Sequence, residues 1–245
     1  MKGKNEELFA VIKRCDIENV KYLLENDIDI NATDMLYGKT PLHEAASWGY
    51  SDIIEYLVEH GANINAGANE GFTPLHYAAL NGHTNAIKYL IKKGADLNVV
   101  NKDGETALHQ TASWGHTSTA KYLIKAGANI NAADMFYGKT PLHYAAEGGY
   151  TDTVKLLIEK GANVNAADMY GYTPLHETAF WGYTNTAKCL IENGANVNAT
   201  TNSGATPLQW ASERGYKDTV KLLVENGAKV GSADKTLNEK SDLNR

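Results

Sequence analysis

The residues best suited to chemistry in this sequence of 245 residues are eight histidines, two cysteines and scattered carboxylates. Two of the histidines, His83 and His116, follow a repeated glycine at a position where other repeats carry tyrosine. A metal ligand or catalytic base would not alternate freely with tyrosine, so this pattern favours structural roles. His60 precedes a glycine and suits a helix C-terminus. The other five recur within one short phrase, Thr-Pro-Leu-His or a close variant: His43, His76, His109, His143 and His176.

Motifs for metal, phosphate or covalent chemistry are missing from the sequence. It contains no Cys-x-x-Cys, no His-Glu-x-x-His and no phosphate-binding loop. Cys15 and Cys189 lie far apart, which favours reduced thiols used as small apolar residues. No pair of carboxylates stands out. We therefore expect no catalytic residue, no metal and no cofactor, and we predict that the protein is not an enzyme.

The repeated phrase predicts the start of a helix. Threonine is a good N-cap, proline suits the first helical position, and leucine begins the buried face. Histidine follows three residues after the cap, where a neutral imidazole can connect the cap to neighbouring backbone. A fixed spacing of 33 or 34 residues between phrases indicates a solenoid of repeats. The six threonines are Thr40, Thr73, Thr106, Thr140, Thr173 and Thr206.

Two glycines divide each repeat into elements. The first, for example Gly49, follows a pair of small residues and is predicted to end the first helix in a left-handed turn. An apolar stretch with helical spacing comes next, as in Ile53 to Val58. The second glycine, for example Gly61, opens a polar connector to the next threonine. Each repeat therefore reads as helix, turn, helix and connector.

With these motifs in view, the chain resembles the ankyrin-repeat proteins. The motifs are Asp-x-x-Gly-x-Thr-Pro-Leu-His-x-Ala-Ala, Gly-His or Gly-Tyr, Leu-Leu and Gly-Ala-Asn-Val-Asn, and they cover roughly residues 5–230. The resemblance implies an all-α solenoid of antiparallel helix pairs with projecting β-hairpin fingers. It also implies a concave groove, built from fingers and first helices, that binds other proteins.

The predicted organisation has incomplete repeats at its ends. The first and fourth full repeats carry one extra finger residue, in Asp34 to Gly38 and in Asp134 to Gly138. These two fingers lie 100 residues apart, which suggests duplication of a block of three repeats. We predict an N-terminal capping repeat at 1–33, repeats at 34–67, 68–100, 101–133, 134–167 and 168–200, a C-terminal repeat at 201–230 and a disordered tail at 231–245.

Charge and hydropathy narrow the expected partners and compartment. The net charge is −6 and no dense basic run occurs, which argues against a nucleic-acid surface. No apolar run is long enough for a signal-peptide core or a membrane span. We therefore expect a cytoplasmic protein, without membrane insertion, that is a monomer.

Function is expected at positions that the repeat pattern leaves free. In the family these are the finger tips and the ends of the first helices, where several large aromatic and methionine side chains occur. One interpretation is that these side chains pack on each other or on adjacent fingers; the other is that they stay exposed along one groove for a partner. The candidate partner-binding residues are Trp48, Trp114, Trp181, Phe180, Met35, Leu36, Tyr37, Phe72, Met135, Phe136, Met169, Tyr170 and Tyr172, with Tyr137 beside them.

Carboxylates lie close in sequence to these candidates: Asp34, Asp134, Asp168, Glu44, Glu147 and Glu177. They favour a protein or peptide partner that carries basic residues among apolar ones. We predict a non-catalytic protein–protein interaction scaffold. The alternative is a targeting or inhibitory module of a larger enzyme or channel.

Overall fold

The computed structural model describes residues 2–26 and 28–229, and the tail predicted at 231–245 lies outside them. This part of the chain contains fourteen α-helices and no strand. None of these helices is both long and apolar enough to cross a membrane. The helices are α1 (Lys2–Lys13), α2 (Ile17–Glu25), α3 (Pro41–Trp48), α4 (Ser51–Glu59), α5 (Pro74–Leu80), α6 (Thr84–Lys92), α7 (Ala107–Ser113), α8 (Thr117–Lys125), α9 (Pro141–Glu147), α10 (Thr151–Glu159), α11 (Pro174–Trp181), α12 (Thr184–Glu192), α13 (Pro207–Arg214) and α14 (Lys217–Glu225).

The chain forms two compact units, which we call the first unit (Met1–Asn129) and the second unit (Ile130–Arg245). Within the first unit, α1 pairs with α2, α3 with α4, α5 with α6 and α7 with α8. The second unit contains the pairs α9 with α10, α11 with α12 and α13 with α14. Inside each unit the first helix of one pair also packs on the first helix of the next. This is the predicted all-helical solenoid, while the exact repeat boundaries stay a prediction.

Small and branched residues from successive repeats build the core. Leu42 and Leu75 are fully buried or nearly so, and so are the alanine pairs that follow them, such as Ala45 and Ala46. Alanine at these positions lets neighbouring first helices approach closely, and each leucine fills the space between them. The free cysteines take little part in this core, because Cys15 is exposed and Cys189 is half-buried. The expectation that both act as apolar filling is therefore wrong for Cys15.

Within each unit, histidines of the repeated phrase connect a helix cap to the following repeat. In the second full repeat the Thr73 backbone N–H donates to His76 Nδ1 at 3.1 Å. Since Nδ1 accepts this bond, the ring carries its proton on Nε2, which lies 3.0 Å from the Glu105 carbonyl oxygen. His43 contacts the Phe72 carbonyl in the same way, at 2.9 Å. The predicted structural role is thus confirmed for these side chains.

The same arrangement recurs in the second unit. His143 Nε2 lies 3.0 Å from the Tyr172 carbonyl oxygen, and His176 Nε2 lies 3.2 Å from that of Ala205. Burial lowers the pKa of His43 and His143 to about 4. The imidazoles are therefore neutral at pH 7 and belong to the framework of the fold.

The fingers are loops in which glycine allows a tight turn. In the first inserted finger, Gly38 has a φ of 65°, and the Asp34 N–H donates to the Lys39 carbonyl oxygen at 2.9 Å. Within each unit, neighbouring fingers are joined by a backbone bond, for example from Asn69 N–H to the Tyr37 carbonyl oxygen at 2.8 Å. No strand is assigned there, so the β-hairpin character of the fingers stays a prediction. These bonds hold the finger tips in register.

Candidate functional site

The three predicted tryptophans lie at or just after the ends of first helices. Trp48 ends α3, Trp181 ends α11 and Trp114 follows α7. Each precedes a glycine with positive φ, where the helix stops and the chain turns away. The indoles are exposed as a result, with relative exposures of 52% for Trp48, 58% for Trp114 and 44% for Trp181.

Trp48 is exposed but held in place. Its indole N–H donates to the Glu44 carboxylate at 2.9 Å, and its ring stacks on Tyr50 with centroids 6.2 Å apart. The Lys13 ammonium lies 3.9 Å from the same carboxylate. An oriented aromatic ring loses little conformational freedom on binding, so this arrangement suits a contact surface.

The finger tips present a second group of large exposed apolar side chains. The inserted finger of each unit has the same design, a methionine, an apolar or aromatic residue and then a tyrosine. The finger after the second one adds a further methionine and tyrosine. Between 50% and 78% of the surface is exposed for Met35, Leu36, Tyr37, Met135, Phe136, Tyr137, Met169 and Tyr170.

Three of the predicted residues pack against neighbours and are only partly exposed: Phe72, Tyr172 and Phe180. The Phe72 ring lies 5.5 Å from that of Tyr77. Phe180 packs edge-on against Trp210 with centroids 5.3 Å apart. The packing interpretation therefore describes these three rings, which act as walls behind the exposed ones.

Part of the second unit forms a hollow of about 280 Å³. We call it the aromatic hollow. Its apolar walls are five rings: Tyr137, Tyr170, Tyr172, Phe180 and Trp181. Its polar lining consists of Lys139, Glu147, Asp168 and Glu177. All five rings are among the residues that the sequence analysis named, and so are the three carboxylates. Lys139 is the one lining residue that it did not predict. The available signal was that lysine follows the finger glycine only in the two inserted fingers.

The charges of the aromatic hollow are organised around Lys139. Its ammonium lies 2.8 Å from a Glu147 oxygen and 2.9 Å from a Glu177 oxygen. Burial opposes the charged form of Lys139, but Glu177 and Glu147 outweigh it and raise the lysine pKa. Burial also raises the pKa of Glu177, although Lys139 opposes that change. The two carboxylates thus raise the pKa of Lys139, whereas burial is the main reason that the pKa of Glu177 is raised.

Asp168 adds a third carboxylate and fixes the finger backbone. Its Oδ1 accepts the Tyr170 N–H at 2.9 Å and the Tyr172 N–H at 2.8 Å. With every group ionised, three negative charges face one positive charge in the lining. The aromatic hollow therefore keeps a net negative charge.

The first unit has the same finger in a different environment. The Lys39 ammonium lies 4.3 Å from the centre of the Tyr77 ring and 5.5 Å from that of Tyr37. Ser47 and Tyr77 stand 100 residues before Glu147 and Glu177, so both carboxylates are replaced.

Another hollow of the first unit, about 450 Å³ in volume, is lined in part by Phe9, Ala10, Met35 and Leu36.

Metal-binding geometry does not occur in the described ranges 2–26 and 28–229. There, His, Cys, Asp and Glu side chains nowhere form a group of three or more that could hold a metal ion. The histidines that recur with the repeat are instead engaged with helix caps and backbone, as described above.

Comparison with known proteins gives several partial relatives. A stretch of 53 residues is 43% identical to palmitoyltransferase AKR1 of Lachancea kluyveri, covering 22% of this chain and 7% of that protein. Another stretch of 53 residues is 49% identical to the human BCL-6 corepressor-like protein 1, covering 21% of this chain and 3% of that protein. A third stretch, of 59 residues, is 37% identical to the mouse 2-5A-dependent ribonuclease, covering 24% of this chain and 8% of that protein. The matches span less than a tenth of each of these relatives.

The match to a protein family is far more extensive. The family model described as "Ankyrin repeats (3 copies)" matches residues 8–101, 93–168 and 166–234. These segments take in the helix pairs of both units and all six repeated phrases. Repeats of this kind are generally protein-interaction modules. From its helix pairs, its repeated caps and this match, the chain is a member of the ankyrin-repeat family.

Proposed function

We propose that this protein is a non-catalytic scaffold that binds a protein or peptide partner through its finger tips and first-helix ends. One observation carries the proposal: in each unit, the positions that the repeat leaves free hold exposed tryptophan, tyrosine and methionine. Trp and Tyr are over-represented among residues that dominate binding energy, and Met is enriched at adaptable surfaces.

The character of the partner follows from charge. The chain carries a net charge of −6, and carboxylates such as Glu44 and Asp168 lie among the exposed rings. A partner with basic residues among apolar ones complements this surface, whereas the phosphates of a nucleic acid do not. We place the interaction in the cytoplasm, with the protein acting as a monomer, not inserted into a membrane and without enzymatic activity of its own.

The test is to remove the three exposed indoles together. Trp48, Trp114 and Trp181 are each replaced by alanine, and both the wild type and the triple variant are used to capture partners from a lysate of the source organism. Quantitative mass spectrometry then identifies proteins that bind the wild type. We expect binding to fall at least about tenfold, because each indole is expected to contribute more than about 1 kcal/mol.

A matched control removes exposed apolar surface elsewhere. Tyr22 in α2 and Val224 in α14 are both exposed and belong to neither the fingers nor the first-helix ends. The double alanine variant should capture the same proteins as the wild type. Both variants should keep the helical circular dichroism signal. Wild-type capture by the triple tryptophan variant would contradict the proposal.

A second candidate function is supported by the relatives. The palmitoyltransferase and the ribonuclease contain the matched segment as a small part of a longer chain. The second proposal is therefore that the same repeats act here as the targeting or inhibitory module of a larger enzyme or channel. Sequencing the full transcript in the source organism decides this: an open reading frame that continues into a catalytic or channel domain would favour it.

A further inference from the structure

The aromatic hollow has the size of a site for one side chain. Its volume of about 280 Å³ is just below the range of roughly 300–1,000 Å³ that is typical of small-molecule pockets. Its apolar walls are aromatic rings, and the ring centroids of Tyr137 and Tyr170 lie 6.3 Å apart. A space of this kind suits an anchor residue of a longer ligand better than a whole cofactor.

The lining has more carboxylates than cations, so its charge favours binding of a further cation. Lys139 is shared between Glu147 and Glu177, so neither carboxylate has a cation to itself. The Glu177 side chain is only about 10% exposed, and water does little to screen its charge. A second positive charge that entered the hollow would meet carboxylate oxygens and the faces of aromatic rings together.

The chemistry favours a guanidinium group over an ammonium group. A guanidinium is planar, is weakly hydrated, stacks on aromatic faces and donates two parallel hydrogen bonds to one carboxylate. An ammonium is strongly hydrated and loses more when apolar rings surround it. The second unit already shows such stacking, because the Arg214 guanidinium carbon lies 3.7 Å from the centre of the Phe180 ring.

We propose that the aromatic hollow binds one arginine side chain from an extended segment of the partner protein. This inference rests on the proposed scaffold function and assigns the chemistry of one anchor. The arginine would lie against the rings of Tyr170 and Trp181 and donate to the carboxylates beside Lys139. Arginine anchors of this kind are frequent among residues that dominate interface energy.

The first unit provides a natural control within the same chain. Ser47 and Tyr77 replace the two glutamates, and Asn81 stands at the position equivalent to Trp181. Lys39 takes part in none of the ion pairs found among the described residues, and its ammonium faces tyrosine rings. That environment is not expected to accept another cation.

The test uses N-acetyl-arginine-N-methylamide as the probe and the indole N–H signals of the protein as the reporter. The chain has four tryptophans, so a ¹⁵N-labelled sample gives four indole signals. We expect the Trp181 signal to shift with arginine while those of Trp48 and Trp114 stay in place. The citrulline analogue has nearly the same shape without the charge, and we expect it to bind at least about tenfold more weakly.

Two further probes and two variants make the result specific. The lysine and trimethyl-lysine analogues should both bind more weakly than arginine. The double variant Glu147→Ser/Glu177→Tyr, which installs the residues of the first unit, should lose at least about tenfold in arginine affinity. Val224→Ala, at an exposed position of α14 outside both the fingers and the lining, should bind as the wild type does.

Several outcomes would overturn the arginine site. These are equal binding of citrulline, tighter binding of lysine or trimethyl-lysine, or an equal shift of the Trp48 and Trp114 signals. The wild-type comparison needs no variant and so does not depend on how the double variant folds. It also needs no partner, so the arginine site can fail while the scaffold proposal stands, and the reverse also holds.

Discussion

The inserted finger occurs once in each unit, and its lysine ends in two different environments. Both fingers share Asp-Met-x-Tyr-Gly-Lys and turn at a glycine with positive φ, Gly38 and Gly138. Lys39 lies over the rings of Tyr77 and Tyr37, whereas Lys139 is bound by two glutamates. Nearly the same loop therefore presents a cation over rings in one unit and a net negative hollow in the other.

The difference comes from neighbours and not from the finger. One contacting residue belongs to the following repeat, where the sequence has Tyr77 in the first unit and Glu177 in the second. The repeat fixes where this side chain lies but leaves its type free. A solenoid can thus keep its framework constant and change the chemistry of each surface patch, which is how one fold serves many partners.

The largest effect that we expect is a loss of folding stability in acid, and it comes from the buried histidines that both units contain. The folded pKa of His43 and of His143 is about 4, below the ordinary value near 6.5. Between pH 4 and pH 6.5 the unfolded chain binds more protons than the folded chain. The stability that each neutral imidazole contributes is therefore fully present above pH 6.5 and is lost as the pH falls to 4. Each histidine should account for about 3 kcal/mol of this loss. Urea unfolding at a series of pH values measures it.

The matched variants are His43→Gln and His143→Gln. Glutamine is compatible with the cap, because Gln209 Oε1 accepts the Thr206 backbone N–H at 2.9 Å. Each variant should be less sensitive to acid than the wild type, and by a similar amount. A large difference between the two would mean that the units do not share this framework.

The next effect separates the units. Lys139→Met keeps the aliphatic stem but leaves Glu147 and the buried Glu177 without their cation, so we expect a loss of about 2–3 kcal/mol in the free energy of unfolding at pH 7. Lys39→Met removes only a contact with tyrosine rings and should cost at most about 1 kcal/mol. Chemical denaturation followed by circular dichroism measures both.

The control for Lys139→Met removes the carboxylates as well. In the Glu147→Ser/Glu177→Tyr background, Lys139→Met should lower the free energy of unfolding much less than it does in the wild type. The two glutamates are absent there, so the substitution leaves neither of them without its cation. Equal costs for Lys39→Met and Lys139→Met in otherwise unchanged chains would contradict the distinction between the two environments.

Much of the fold was predictable because the signals are local. Thr40, Pro41 and His43 specify a helix start through their own geometry, and α3 begins at Pro41 as expected. Even where Ala107 replaces proline, threonine and histidine are sufficient for the start of α7. In the full repeats, the glycine after the first helix, such as Gly49, likewise permits a left-handed turn.

The candidate site was less predictable because it depends on how side chains meet across repeats. Phe180 and Trp181 are adjacent in sequence, yet Trp181 is exposed while Phe180 packs against Trp210 from the following repeat. The sequence placed Glu147 and Glu177 near the fingers, but not their shared contact with Lys139. Such pairings depend on rotamers and on residues about one repeat away, which periodicity alone does not specify.

Site-specific photo-crosslinking shows directly which surface of the protein contacts its partner. A benzophenone amino acid is placed singly at Trp48, Trp114 or Trp181, and at Tyr22 or Val224 as equally exposed controls. We expect crosslinks to the captured partner at the three first-helix ends and little crosslinking at the controls. Crosslinks that form mainly at Tyr22 or Val224 would show that partners bind the opposite elements and would contradict it.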